Sequence, residues 1–183
     1  LDLFKRLSGS RLFQELKLIM DEERPLACLR SMNTLGVLQA IHPDLRLTQR
    51  HETLCEELGR VLNWYRLLFL EQEPLPWVLY LLALCSHLQP EQTMRLLERL
   101  KISKRDQEAF QETREVIPRL NEKVMYWMKY RERKSELYFM LEHASLEAVL
   151  FIMASNHDSE MRKHLSHYLT ELQKSVPDIS GRD

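Results

Sequence analysis

Apolar residues along this chain recur at helical spacing from one end to the other. Leu12, Leu16, Leu18 and Ile19, then Leu26, Leu29, Met32 and Leu35, then Leu54, Leu58, Val61, Leu62, Tyr65 and Leu68 each mark a helix. Punctuation falls between the stripes. Ser8-Gly9-Ser10 opens a helix that closes at Asp21-Glu22-Glu23-Arg24, and Pro25 stands at the first position of the next. Gly36 suits a left-handed cap before a short segment, Val37 to Ile41, that ends at His42-Pro43. A longer helix is expected from about Thr48 to Phe69. Beyond Pro74-Leu75-Pro76, the stretch from Trp77 to Leu88 is apolar nearly all round, which places its helix inside a bundle. Pro90 and Ser103 start two more helices, and Pro118 is expected to break or kink the second. A further helix carries Leu120, Val124 and Met128. Ser135 starts a short one, Ser145 caps Leu146 to Ala154, and Asp158 or Ser159 begins the last, to about Lys174. The pattern predicts an all-α fold, an irregular array of eight to ten helices with no sheet and no exact repeat.

Composition narrows what such an array does. Four glycines in 183 residues disfavour phosphate-cradling loops and nucleotide-binding sheets. Cys28, Cys55 and Cys85 are far apart among apolar neighbours, which fits neither a disulfide framework nor a zinc spacing and points to a reducing cytoplasm. The run Leu75 to Cys85 is too short to span a membrane, and no signal-peptide pattern is evident, so a cytoplasmic protein is expected.

Catalytic chemistry finds little footing. Glu71 and Glu73 fall in a break between helices, and Asp158 with Glu160 at a helix start, where acids favour the dipole. Glu160, His164, His167 and Glu171 share one face of the last helix, but a helical metal centre draws ligands from several helices, so this face reads as solvated. Cys55 has His51 one turn before it, without a glycine-built oxyanion turn. No catalytic residue and no metal ligand is assigned.

The cations are more informative. The net charge is −1, so any grip on nucleic acid must be local. Seventeen of 26 positive residues are Arg, whose planar fork suits phosphate. Arg95, Arg99, Lys101, Lys104 and Arg105 gather at one helix–turn–helix corner. Arg119, Lys123, Trp127 and Arg131 follow at i+4 spacing, and Arg133, Lys134, Arg162 and Lys163 add charge. Two readings stand: a surface tracking a nucleic-acid backbone, or a solvated face neutralised by Glu98, Glu122, Glu132 and Glu136.

A resemblance bears on that choice. Asp2-Leu3-Phe4-Lys5-Arg6-Leu7-Ser8-Gly9-Ser10-Arg11-Leu12-Phe13-Gln14-Glu15-Leu16 resembles the neck opening of class II tRNA nucleotidyltransferases and bacterial poly(A) polymerases. Leu35-Gly36-Val37-Leu38 with Ile41-His42-Pro43-Asp44-Leu45 is similar to the body signature of that family. Trp77 to Leu84, Arg99 to Ser103 and the final Ile179-Ser180-Gly181-Arg182-Asp183 resemble its later segments. The resemblance implies a neck over 1–24, a helical body over 25–133 and the start of a helical tail over 134–183. Arg11 and Glu15 match the neck motif and are implied to brace the nucleotide-selecting pocket; Ser10 stands where the family usually has an acid. A tRNA or other structured RNA is the implied partner, together with the chain's own N-terminal catalytic head. That head would use Mg²⁺ and ATP, and CTP if it adds CCA; no cofactor is implied for this segment. The segment by itself is expected not to be an enzyme, while its parent transfers A, CCA or poly(A) to an RNA 3′ end. A helical protein–protein interaction scaffold is the alternative.

Overall fold

The computed structural model describes residues 8–130 and 134–172. Its elements follow the caps that the sequence offers. The Ser8 hydroxyl accepts the Arg11 N–H (3.4 Å) and opens α1, Gly9–Met20, which buries Leu12, Phe13, Leu16 and Met20. Pro25 occupies the first turn of α2, Pro25–Thr34. Gly36, at φ 71°, turns the chain into α3, Val37–Ile41. Thr48 and His51 exchange capping contacts at the start of α4, Gln49–Arg66, which stops three residues short of the expected Phe69. Phe69 itself takes a left-handed backbone, φ 50°, in the connection that follows.

The central helix is α5, Pro76–Leu84, with every side chain from Trp77 to Leu84 buried. An apolar helix of this kind has no solvent face, and α1, α4, α7 and a second buried helix cover it. The Asp21 carboxylate at the end of α1 accepts the Trp77 N–H (3.1 Å), satisfying one of the donors that α5 leaves open at its N-terminus. α6 is Pro90–Leu100. α7, Lys104–Tyr130, runs unbroken through Pro118, contrary to the expected break. Pro118 lies on the exposed side of α7, so the carbonyl it leaves without an intrahelical donor can turn to water. α8 is Lys134–Leu141, α9 Leu146–Ser155 and α10 Ser159–His167, followed by a π-helical turn, Tyr168–Leu172.

α9 is the second buried helix, with Leu146 and Ala148 to Ala154 all inside. It packs on α4, α7 and α5, and residues from α1 through Leu169 belong to one hydrophobic core. Among the described residues there are ten α-helices and no strand, and no single helix is long and apolar enough to cross a membrane.

Candidate nucleic-acid interface

The cationic corner between α6 and α7 is built by two local devices. α6 ends in a Schellman turn, in which the Ile102 N–H reaches the Leu97 carbonyl (3.4 Å) and the Lys101 N–H reaches the Glu98 carbonyl (3.1 Å). The turn buries Ile102 and holds Lys101 at φ 50° and ψ 44°, a left-handed conformation in which its side chain is exposed. Ser103 then opens α7. Its hydroxyl accepts the Asp106 N–H (3.2 Å) and donates to the Asp106 carboxylate (2.8 Å), which sends Lys104 and Arg105 outward in the first turn.

Three longer contacts fix where this corner sits. The Gln89 N–H at the start of α6 donates to the Gln92 side chain (2.8 Å), whose amide donates to the Asp44 carboxylate (2.8 Å). Arg114, in the middle of α7, donates to the Leu88 carbonyl (2.7 Å). Gly9 lies so close to the Arg99 carbonyl that a methyl group on it would overlap that oxygen. The first turn of α1 is therefore seated directly on the last turn of α6.

Arg95, Lys101, Lys104 and Arg105 are exposed, and Arg99 is half-buried. Arg119 and Lys123 are also exposed, further along α7. None of the six exposed cations is in an ion pair with another described residue. At 100° per residue Arg105 and Lys123 point the same way, roughly 27 Å apart along the axis, with Arg119 close to that line. Glu112 falls on the same exposed face between them. The structure thus presents two cationic patches on one helix rather than one continuous stripe. Arg131 and Arg133 lie outside the described residues.

Two expectations about the charged surface are corrected. Trp127, expected to interleave with the cations, is 4% exposed and meets the His164 ring edge-on at 4.9 Å. Steps of four residues advance 400°, so an i+4 row drifts about 40° per step and carries position 127 into the core side. The exposed rings are Tyr126 and Tyr130. Arg162 is not a free cation either: its guanidinium pairs with Glu57 (2.8 Å) and donates to the Asn156 carbonyl (2.8 Å). Arg60 contacts the other oxygen of the same carboxylate.

Arg11 and Glu15 are exposed on α1 and form no ion pair with each other. The catalytic candidates disperse. Cys55 and Cys85 are buried, and burial pushes both thiols up to about 12, far from a nucleophile's range. Glu71 and Glu73 are exposed between α4 and α5, while Asp158 caps α10 by accepting the Glu160 and Met161 N–H groups (2.8 and 3.1 Å). Among the described residues no group of three or more His, Cys, Asp or Glu side chains could hold a metal ion.

Known proteins share this fold. Residues 2–47, covering α1 to the end of the α3–α4 connection, match the family described as "Probable RNA and SrmB- binding site of polymerase A". Separately, the chain is similar over nearly its whole length to A-adding tRNA nucleotidyltransferases, in line with the resemblance carried by the sequence motifs. The enzyme of that name from Geobacter sulfurreducens is 36% identical over 180 residues, which is 97% of this chain and 20% of that protein. The chain spans about a fifth of the length of the curated relatives it matches. Among solved structures, a tRNA-processing enzyme complex superposes with a TM-score of 0.78 at 25% identity, over 96% of this chain and 46% of that one. The Thermotoga maritima CCA-adding enzyme complexed with tRNA has the same fold, with a TM-score of 0.72 at 21% identity, over 97% of this chain and 42% of that one.

Proposed function

We propose that this chain is the neck, body and first part of the tail of a cytoplasmic RNA 3′-end nucleotidyltransferase, and that it holds a tRNA or tRNA-like RNA by its backbone. The observation that carries the reading is the α6–α7 corner. Arg95, Lys101, Lys104 and Arg105 project from it without an ion pair among the described residues, on a chain whose net charge is −1. Exposed cations left without acids form a local positive field that positions phosphates without reading bases. The relationship to A-adding enzymes supports an RNA as the polyanion.

Nucleotide addition belongs to the head of the parent protein. There Mg²⁺ would act with ATP, or with CTP in a CCA-adding parent; among the described residues no group of three or more His, Cys, Asp or Glu side chains could hold such an ion, and no step of the reaction is assigned to these residues. Arg11 and Glu15, solvent-facing on α1, are available to brace that head from below.

Binding of a labelled tRNA transcript, followed across a salt series, tests the grip. Lys104→Glu combined with Lys123→Glu is expected to weaken binding to tRNAs of different sequence about equally. It should flatten the log–log salt slope by roughly two units if each residue makes one phosphate contact, at about 0.9 per contact. Arg24→Glu and Arg46→Glu, exposed but outside the patches, serve as controls. Equal loss in patch and control variants, or loss in neither, would overturn the proposal.

A further inference from the structure

The exposed face of α7 does not end at Lys123. Tyr126 and Tyr130 stand one turn apart on it, 56% and 55% exposed, with ring centroids 4.5 Å apart and planes tilted by 45°. Lys129 Nζ lies 5.3 Å from the Tyr130 ring centre. Neither phenol makes a hydrogen bond among the described residues. Two large rings therefore rest against each other instead of against the core, while Trp127 beside them is buried.

The surroundings select the class of partner. From Arg119 to Tyr130 the helix carries three cations, Arg119, Lys123 and Lys129, against one acid, Glu122. Protein interfaces tend to exclude lysine from their cores. Surfaces for single-stranded nucleic acid interleave cations with aromatic rings, because phosphates and base faces alternate along the strand. Paired bases in an A-form helix are stacked on each other and hide their faces, whereas loops and ends present them.

We infer that Tyr126 and Tyr130 form a stacking platform for an unpaired base of the bound RNA, with Lys123 and Lys129 holding the flanking phosphates. The inference rests on the RNA-binding reading and adds to it a contact that depends on unpaired nucleotides.

The test uses the 183-residue chain, a labelled tRNA transcript and a blunt RNA duplex without loops or overhangs. Tyr126→Ala with Tyr130→Ala is expected to weaken tRNA binding roughly fivefold or more, the size of losing one base–aromatic stack. The salt slope should stay the same, because no phosphate contact is removed. Tyr126→Phe with Tyr130→Phe keeps both ring faces and should bind as the parent chain does, and binding to the duplex should be unchanged in all variants. Unchanged tRNA binding by the Ala pair would overturn the platform alone, as would an equal loss on the duplex. A Phe pair as weak as the Ala pair would replace stacking with hydroxyl bonding and overturn it as well. A parent chain that binds neither RNA would overturn the RNA-binding reading and the platform together.

Discussion

At the scale of single residues, the two helical glycines in the described chain make a controlled pair. A methyl group at Gly9 would overlap the Arg99 carbonyl oxygen, a backbone atom that cannot swing away. At Gly59, inside α4, it would meet only the Tyr80 hydroxyl, at an ordinary 3.4 Å. Gly9→Ala is therefore expected to force α1 off α6 and cost about 1–3 kcal/mol, as overpacking does. That corresponds to a fall in Tm of roughly 2–12 °C for a chain of this size. Gly59→Ala should leave Tm unchanged or raise it slightly, since Ala gains about 0.5–1 kcal/mol over Gly within a helix. Equal melting temperatures for both variants would show that α1 is not seated on the corner. The need for Gly9 was not legible in the sequence, because its cause lies 90 positions away at Arg99. Ser8, Ser103, Ser145 and Asp158 were legible as helix starts, since a cap bonds to its own backbone a few residues on. Gly36 was legible for a similar reason: a left-handed turn between two apolar stripes leaves few other candidates.

At the scale of elements, periodicity located nearly all the helices and erred where a single residue was asked to decide a boundary. Pro118 was read as a break or a kink; the helix is not broken there, because the buried positions Phe110, Thr113, Leu120 and Val124 continue in phase across it and packing holds α7 together. What the spacing could not show is how helices are joined by polar contacts at a distance. His51, buried near the start of α4, accepts the Thr48 N–H at Nδ1 (3.1 Å). Its Nε2 must then carry the proton and donate to His87 Nδ1 (3.1 Å), which leaves His87 Nε2 to donate to the Asp44 carbonyl (2.8 Å). This relay ties α4 to the α3–α4 and α5–α6 connections. Burial pushes the His51 pKa below 6.5, and His87, Arg50 and Arg46 press the same way, against a smaller opposing backbone hydrogen bond. A depressed folded value means that the unfolded chain takes up the proton first. The contribution of His51 is thus complete above pH 6.5 and is lost as the pH falls below it. Melting temperatures at pH 7.5, 6.5 and 5.5 should decline on the acid side, and His51→Gln should reduce that decline. A variant with an unaltered pH profile would remove His51 as its source.

At the scale of the whole molecule, the sequence pattern and the family resemblance agreed on an all-α array, and the structure and relatives bear out both. The candidate interface was only partly legible, because a cation's availability depends on what other helices bring to it. Arg95, Lys101, Lys104 and Arg105 make no ion pair among the described residues, whereas Arg162 is taken by Glu57, 105 positions earlier. That pair has a consequence for folding. It joins α4 to α10 at the edge of a core that already runs from α1 through Leu169, so the described helices should unfold as one unit. Arg162→Ala would leave the buried Glu57 carboxylate with Arg60 as its remaining cation and strip the Asn156 carbonyl of a donor. Removing a charged partner of this kind costs about 1–3 kcal/mol. The expected result is a single transition at a lower temperature, superimposable in far-UV circular dichroism and in the fluorescence of Trp64, Trp77 and Trp127. Below that transition, tRNA affinity and its salt slope should match those of the parent chain, because this guanidinium is already neutralised. Two separated transitions would show α10 melting apart from the rest. A flattened salt slope would place Arg162 among the proposed phosphate-binding cations and overturn its assignment as a structural tie.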